Sequence, residues 1–466
     1  MLNRERISSV DHAWLRMDHP GNLMMIVGVL VLDTPLSATR FKRLLEMRLL
    51  RYARFRQRVV EDAAGAWWEN DPAFDLDRHV HRATLPGAGD KRELEKLAAQ
   101  LAATPLDHQH PLWCFHLIEH YDGGSALVAR LHHCIADGIA LIGVMLSLTD
   151  AQAGAEPDAL AATQLPVAAD DENPWRQLFE PATQAMISAI DFSSRVWIKY
   201  FELLTNPGLV LDYTRQGAGM ARELATLLTL PADSPTRLKG QPAGIKCLAW
   251  TEPFPLAEIK ASGKALGCSV NDVLLSAMAG ALRAYLAQHG DSVEALEVRV
   301  LVPVNLREAG DEQQLGNRFG MVTLLLPVGM ENPLERVFEV KRRMAALKDS
   351  YQPTVTLGLL GALGYAPKLV QQQVLDMLAA KVTAVMTNVP GPQQRLYLAG
   401  ASLKQQMFWV PQSGDIGVGV SILSYAGSVQ FGVITDKRLV ADPEKILRHV
   451  GPELKKLARV AKGKKA

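Results

Sequence analysis

Leu131–Gly138 reads LHHCIADG: two adjacent histidines, an aspartate four residues after the second, then a glycine. SALVARLHH before it has a strand pattern and GIALIGVMLSL after it is an apolar helix, so the stretch is a strand-to-helix turn. Successive side chains on a strand point to opposite faces, so His132 and His133 cannot both address one ligand unless the strand has already ended. One is then chemical and the other structural. The same parity turns Cys134 away from His133, which weakens a cysteine–histidine nucleophile pair. Asp137 is a favoured N-cap for the following helix, and Gly138 permits a close backbone approach. Metal ligation is not expected, because the HExxH arrangement sets its histidines four apart on one helical face, whereas adjacent strand histidines diverge. Chance places such a pattern in on the order of one chain of this length in a thousand.

Working outward, Ser8 or Ser9 can cap a short helix through Trp14 and Leu15, and LMMIVGVLVL is a strand buried on both faces. Helices follow from Ser37, with a strongly basic outer face, and over DKRELEKLAAQLAAT. WCFHLIE and SALVARLHH form two neighbouring strands. Residues 151–173 are alanine-rich, acidic and broken by proline, which reads as a linker. Residues 174–230 carry helical patterns with Trp197, Ile198, Tyr200 and Phe201, suited to bridging two domains or resting on a bilayer. A second α/β region starts near Gly244, with SVNDVLLSAMAGALRAYLAQ as a helix capped by Ser269 or Asn271 and LEVRVLVPVN as a buried strand. The division expected is therefore 1–150, a linker and helical connector over 151–243, and 244–466.

The 466 residues carry a formal charge of +1, without the basicity that phosphate-backbone binding demands, so nucleic acid is not an expected partner. Four cysteines with no CxxC spacing argue against structural zinc and a disulfide framework, and point to a reducing, cytoplasmic compartment. No run reaches the roughly 18 apolar residues of a spanning helix, so membrane contact is expected to be peripheral. The basic C-terminus, KKLARVAKGKKA, suits an anionic surface.

His132, His133, Asp137 and Gly138 match the HHxxxDG signature of CoA-dependent acyltransferases, a superfamily that includes chloramphenicol acetyltransferase and the condensation domains of peptide synthetases. Further motifs narrow the match: PLW at Pro111–Trp113, SVNDVLLSAMAGALRAYL with Asn271 and Asp272, VPVNLR ending at Arg307, and NVPGP at Asn388–Pro392. Together they resemble the bacterial wax ester synthase/acyl-CoA:diacylglycerol acyltransferase family over essentially the whole chain. The chain departs from that pattern at LDHQH, where histidines replace a common arginine, and at Cys114, where an acidic residue is common. Both departures bear on substrate preference.

The resemblance implies an α/β fold of two chloramphenicol-acetyltransferase-like domains joined by a helical linker, with the reaction centre in a tunnel where they meet. It implies acyl transfer from acyl-CoA, as substrate and with no cofactor, to a fatty alcohol or diacylglycerol. His133 is then the general base, with His132, Asp137 and Gly138 supporting it. A histidine suits that role because its ordinary pKa, about 6.5, lies near neutrality. Asn271, grouped with Asp272, is either an oxyanion donor or positioning group, or a helix cap. PLW and NVPGP are expected to shape the tunnel. CoA phosphates need cations, and Arg307, Arg318 and Arg395 are equal candidates. The expected location is cytoplasmic, with peripheral contact to the plasma membrane's inner face or a lipid-droplet surface. Two rivals remain: a condensation-type enzyme acting on an amine or polyketide hydroxyl, and a noncatalytic lipid-surface protein.

Overall fold

The MIVGVLVL segment, Met25–Leu32, is the second strand (β2) of a computed structural model that describes residues 4–18, 21–62, 65–153, 219–307, 315–347 and 350–463. All eight of its residues are buried, and alternation divides them between two cores. Val27, Val29 and Val31 pack with Leu94 and Ala98 of the helix Lys91–Ala102. Ile26, Leu30 and Leu32 join a larger core with Phe41, Leu44 and Leu45 of the helix Ala38–Arg48. Fully burying each such side chain contributes about 1.5–3 kcal/mol, so a strand covered on both sides needs an unbroken apolar run.

The strands are numbered in chain order. In the first half they are β1 (Glu5–Arg6), β2, β3 (Gln57–Asp62), β4 (Gly65–Asn70), β5 (Val80–Arg82), β6 (Trp113–Tyr121), β7 (Gly124–His132) and β8 (Thr149–Asp150). In the second half they are β9 (Lys246–Trp250), β10 (Phe254–Pro255), β11 (Val298–Asn305), β12 (Phe319–Leu326), β13 (Ala384–Pro390), β14 (Tyr397–Leu398), β15 (Ala401–Trp409), β16 (Val418–Tyr425) and β17 (Ser428–Asp436). Among the described residues one sheet runs β5-β6-β7-β2-β15-β14-β8 and another β10-β17-β16-β13-β11-β12, with β9 also on β17. A small sheet, β1-β4-β3, completes the set.

Chain order and sheet membership part company at β14 and β15, which come from the expected second domain yet pair with β8 and β2 of the first sheet. A division at residue 244 therefore does not separate the two sheets. Local chemistry supports the crossing: Phe408 on β15 lies opposite Gly28 on β2, and a Cβ at Gly28 would stand 2.5 Å from the Phe408 ring. Glycine there leaves the ring room to lie flat across β2.

In the second sheet β11, β13 and β16 are parallel neighbours. Leu301, Pro303 and Asn305 of β11, with Phe319, Met321 and Thr323 of β12, face an internal cavity. Their alternates Val300, Val302, Val322 and Leu324 enter the large core. The cavity lies where the two sheets meet.

Ser8 caps the first helix, Ser9–Arg16, by accepting from the Asp11 N–H, and Ser37 caps Ala38–Arg48. Most of the linker, the helical patterns up to residue 218 with Trp197–Phe201, and residues 464–466 of the basic tail lie outside the described residues. No single helix among the described residues is long and apolar enough to cross a membrane.

Candidate active site

Strand β7 ends at His132, so His133 is the first residue of the turn and the parity argument is released at the motif itself. His133 lines the cavity, while His132 is directed elsewhere. The His133 ring stacks on Trp14 at 4.2 Å between centroids and leans on Phe319 at 5.5 Å. Its backbone is held on both sides: its N–H donates to the Met24 carbonyl at 2.8 Å, and its carbonyl accepts from Asn317 Nδ2 at 2.7 Å. Asn317 Nδ2 in turn donates to Asp11 Oδ1 at 2.7 Å, where burial raises the carboxyl's pKa. Burial pushes the His133 imidazole down to about 4, although the Asp137 charge and Asn317 favour its protonated form. Burial therefore favours the neutral ring at physiological pH.

His132 is buried and braces the turn. Its Nδ1 accepts from the Cys134 N–H at 3.1 Å, which fixes the proton on Nε2, 3.8 Å from Asp18 Oδ2. Asp18 Oδ1 accepts from the Met24 N–H at 2.8 Å, and half-exposed His108 reaches Oδ2 at 3.2 Å. One carboxylate thus ties together the first histidine, the surface and the residue that holds His133. Burial pushes the Cys134 thiol well above its ordinary range, so Cys134 is no nucleophile here.

Asp137 is the N-cap of the helix Gly138–Ser147, with Oδ1 accepting from the Ala140 N–H at 3.0 Å. Its Oδ2 accepts from the Arg318 N–H at 2.9 Å and pairs with the Arg307 guanidinium. Arg307 also donates to the Gly316 carbonyl at 2.6 Å, and Ala136 bridges Gly316. The second half of the chain thereby closes over the turn supplied by the first. Arg307, expected as a candidate for CoA phosphates, has a side chain 0% exposed and committed to Asp137, so it is not available to a phosphate. Arg395 is exposed.

Ser269, and not Asn271, caps the helix Val270–Gln288. Asp272 completes the capping box, accepting from the Ser269 N–H at 2.8 Å, which corrects its grouping with catalytic residues: the carboxylate is occupied at a helix end. Asn271 stands behind the cavity, where its Oδ1 accepts from Asn388 Nδ2 at 2.8 Å. Asn388 itself lines the cavity, so this part of NVPGP brings a polar group and not shape alone. Of the PLW motif, the Leu112 carbonyl accepts from the His132 N–H at 2.9 Å, and buried Trp113 stacks on His79 and donates to the Phe55 carbonyl at 2.9 Å.

The cavity, about 220 Å³, is overwhelmingly apolar, with Gly138, Leu141, Met145, Leu360, Leu378 and Phe408 among its walls. Its few polar groups include His133, Asn305, Asn388 and Ser421. Among the described residues no three histidine, cysteine or acidic side chains converge as metal ligands. A buried imidazole facing an apolar cavity between two mixed sheets, on the HHxxxDG turn, is the arrangement the resemblance to CoA-dependent acyltransferases implies.

Comparison with known proteins narrows that class. Residues 7–274 match the wax ester synthase/diacylglycerol acyltransferase catalytic domain, and residues 315–458 the C-terminal domain of the same family. A protein of Mycobacterium tuberculosis named "Probable diacyglycerol O-acyltransferase" is 28% identical over 470 residues, covering 98% of this chain and 97% of its own. The wax ester synthase/diacylglycerol acyltransferase of Marinobacter aquaeolei VT8 superposes with a TM-score of 0.67 at 20% identity, over 98% of this chain and 100% of that one. A starter condensation domain of rhizomide synthetase, solved with C8-CoA, gives 0.56 at 14% identity, over 98% and 94%. The chain belongs to the wax ester synthase/diacylglycerol acyltransferase family and is an acyltransferase. Its fold is the two-part α/β arrangement that chloramphenicol acetyltransferase and condensation domains share.

Several site residues carried no sequence signal of their own. Trp14 reads as the apolar face of a short helix, and Asp11, Asp18 and Asn317 as ordinary polar residues. Asp18 and Asn317 meet the motif only through long-range pairing. Arg307 carried a signal, as the end of VPVNLR, that was compatible with two opposite roles.

Proposed function

We propose that the protein moves a fatty acyl group from acyl-CoA to the hydroxyl of a long-chain alcohol, giving a wax ester, or of a diacylglycerol, giving a triacylglycerol, with His133 as general base. The observation that carries this reading is the buried His133 ring, held neutral by burial, at the wall of a largely apolar cavity. The hydroxyl proton passes to His133 as oxygen attacks the thioester carbonyl. A C–O bond forms, the C–S bond breaks, and the imidazolium returns the proton to the departing CoA thiolate. Atoms and protons balance in this direct transfer without an acyl-enzyme intermediate. Asn388, held by Asn271, supplies an amide within reach of the cavity.

The apolar walls support hydrocarbon chains in both substrates, and the named relatives support diacylglycerol as an acceptor. The same reading has the enzyme working in the cytoplasm, in peripheral contact with a membrane or lipid-droplet surface that holds the acceptor. Exposed Tyr365, Leu369, Val370 and Met377, on and beside the helix Lys368–Ala379, support that contact.

The test is thiol release by purified protein given palmitoyl-CoA with hexadecanol or dioleoylglycerol. Thiol should appear with at least one acceptor, and His133→Ala should lower turnover by about 10²–10⁴-fold while the fold persists. Near wild-type turnover in that variant would remove His133 as the base.

A further inference from the structure

Asp18 follows the end of the first helix, Ser9–Arg16, and groups from three other parts of the chain converge on its largely buried carboxylate. Oδ1 accepts from the Met24 N–H at 2.8 Å, and the Met24 carbonyl in turn accepts from the His133 N–H at 2.8 Å. Oδ2 faces His132 Nε2 at 3.8 Å and His108 Nε2 at 3.2 Å. Met24 and His132 are buried, whereas half of the His108 side chain is exposed, so His108 is the end of this chain of contacts that meets solvent. His108 belongs to LDHQH, the stretch at which the sequence departs from the family pattern.

The His108 ring is surrounded mainly by negative charge. Asp18 acts most strongly on it, followed by Asp107 on its own turn and Glu61 on β3, which also pairs with His12 at 2.8 Å. The His132 ring, edge-on to it at 6.1 Å between centroids, is held neutral by burial, near 3. The hydrogen bond to Asp18 raises the His108 pKa above its ordinary 6.5, so this ring changes charge on the neutral-to-alkaline side.

We propose that His108 is a positioning residue for the base: as an imidazolium it locks the Asp18 carboxylate, which holds both the His132 ring and the Met24 backbone behind His133, and on losing its proton it loosens that lock and slows turnover. The proposal rests on the acyl-transfer reading above, in which His133 is the base. A neutral His108 still offers Asp18 one N–H, but the bond loses its charge assistance and with it roughly half its strength. Asp18 then keeps only neutral donors among the described residues: the Met24 N–H, His132 and the neutral His108. His133 titrates near 4, far from this range, so an alkaline decline in kcat is separable from its own protonation.

The test is the pH profile of kcat from about pH 6 to 9, by thiol release from palmitoyl-CoA with hexadecanol or dioleoylglycerol, in the wild type, His108→Arg and His108→Gln. Wild-type kcat should fall by about fivefold through one titration above 6.5, the worth of one hydrogen bond of ordinary net strength, with KM little changed. His108→Arg keeps its cation throughout and should lose that decline. His108→Gln carries a neutral donor and should run flat at the lower level. Ring signals of histidine-labelled protein give a readout without turnover. The His132 signal should move with the His108 titration in the wild type and stay in place in His108→Arg, and Asp18→Asn should bring the His108 pKa down toward 6.5.

An alkaline limb that persists in His108→Arg, or equal kcat in the wild type and His108→Gln at pH 6, overturns the proposal and leaves the acyl-transfer reading standing. Absence of wild-type turnover with every pair defeats that reading instead. The lock is then judged by whether the His132 signal follows His108.

Discussion

Asp137→Ala is expected to be among the most destabilising single substitutions in the molecule, for reasons that can be added up. The carboxylate caps a helix, and losing an N-cap costs about 1 kcal/mol. It is also the counter-ion of Arg307, whose side chain is 0% exposed; breaking a buried pair by removing one partner costs about 3–5 kcal/mol, because the other charge is left without compensation. The total is about 4–6 kcal/mol, a large share of the stability of an ordinary domain. Arg307→Met should cost less, since Asp137 keeps the Ala140 and Arg318 N–H groups as donors. In Asp137→Ala/Arg307→Met both charges are gone and the methionine stem fills part of the space. The double variant should therefore be more stable than Asp137→Ala alone, by at least about 1 kcal/mol, while recovering no turnover. Urea unfolding followed by tryptophan fluorescence, with thiol release measured alongside, reads both quantities. A loss below about 1 kcal/mol in Asp137→Ala, or strict additivity in the double variant, would show that the pair does not hold the turn.

The remaining expectations concern protons and the first histidine. His116, His132 and His133 are held near 3, 3 and 4 by burial, below their unfolded 6.5. Unfolding between pH 6.5 and 4 therefore takes up protons at these three sites, and stability falls as pH drops through that window. Glu95, raised to about 7 by burial, acts the other way, since its native proton is lost on unfolding above 4.5, but it offsets one site of the three. The thermal midpoint should decline from pH 6.5 to 4.5 more steeply in the wild type than in His133→Gln, and matching slopes would count against a buried neutral ring. Asp18→Asn keeps an acceptor for the Met24 N–H and removes the charge facing His132. It should lower kcat roughly tenfold, the equivalent of about 1.4 kcal/mol, with KM little changed; an unaltered kcat would reduce Asp18 to a surface partner of His108.

The opening octapeptide showed much of what later mattered, because the end of a strand and the cap of a helix are local and a sequence displays them. The end of β7 at His132, the cap at Asp137 and the burial of Met25–Leu32 all follow from patterns within ten residues. What escaped is long-range. Arg307 lies 170 positions from Asp137, and β15 leaves its own half to pair with β2. Nothing local in ASLKQQMFW announces that crossing, since its alternating pattern would serve either sheet. The cap of the helix Val270–Gln288 stayed open for a different reason: Ser269 and Asn271 are both good caps two residues apart, and the reciprocal bond to Asp272 decides for Ser269.

In the mechanism proposed above, a base held near 4 is intrinsically feeble, and the enclosure around His133 bears on how it would serve. At neutral pH every copy carries the free ring, so none is lost to protonation. What matters next is the conjugate acid. An imidazolium formed in that enclosure is strongly acidic, and in the proposed step it would hand its proton readily to the departing thiolate. The two demands, taking a proton from an alcohol and giving one to sulfur, pull basicity in opposite directions. Burial is the largest influence on that balance, with the Asp137 charge and Asn317 favouring the imidazolium. Asp137 therefore acts twice: it pairs with Arg307 where one half of the chain closes over the other, and its charge favours the protonated form of the His133 ring beside it.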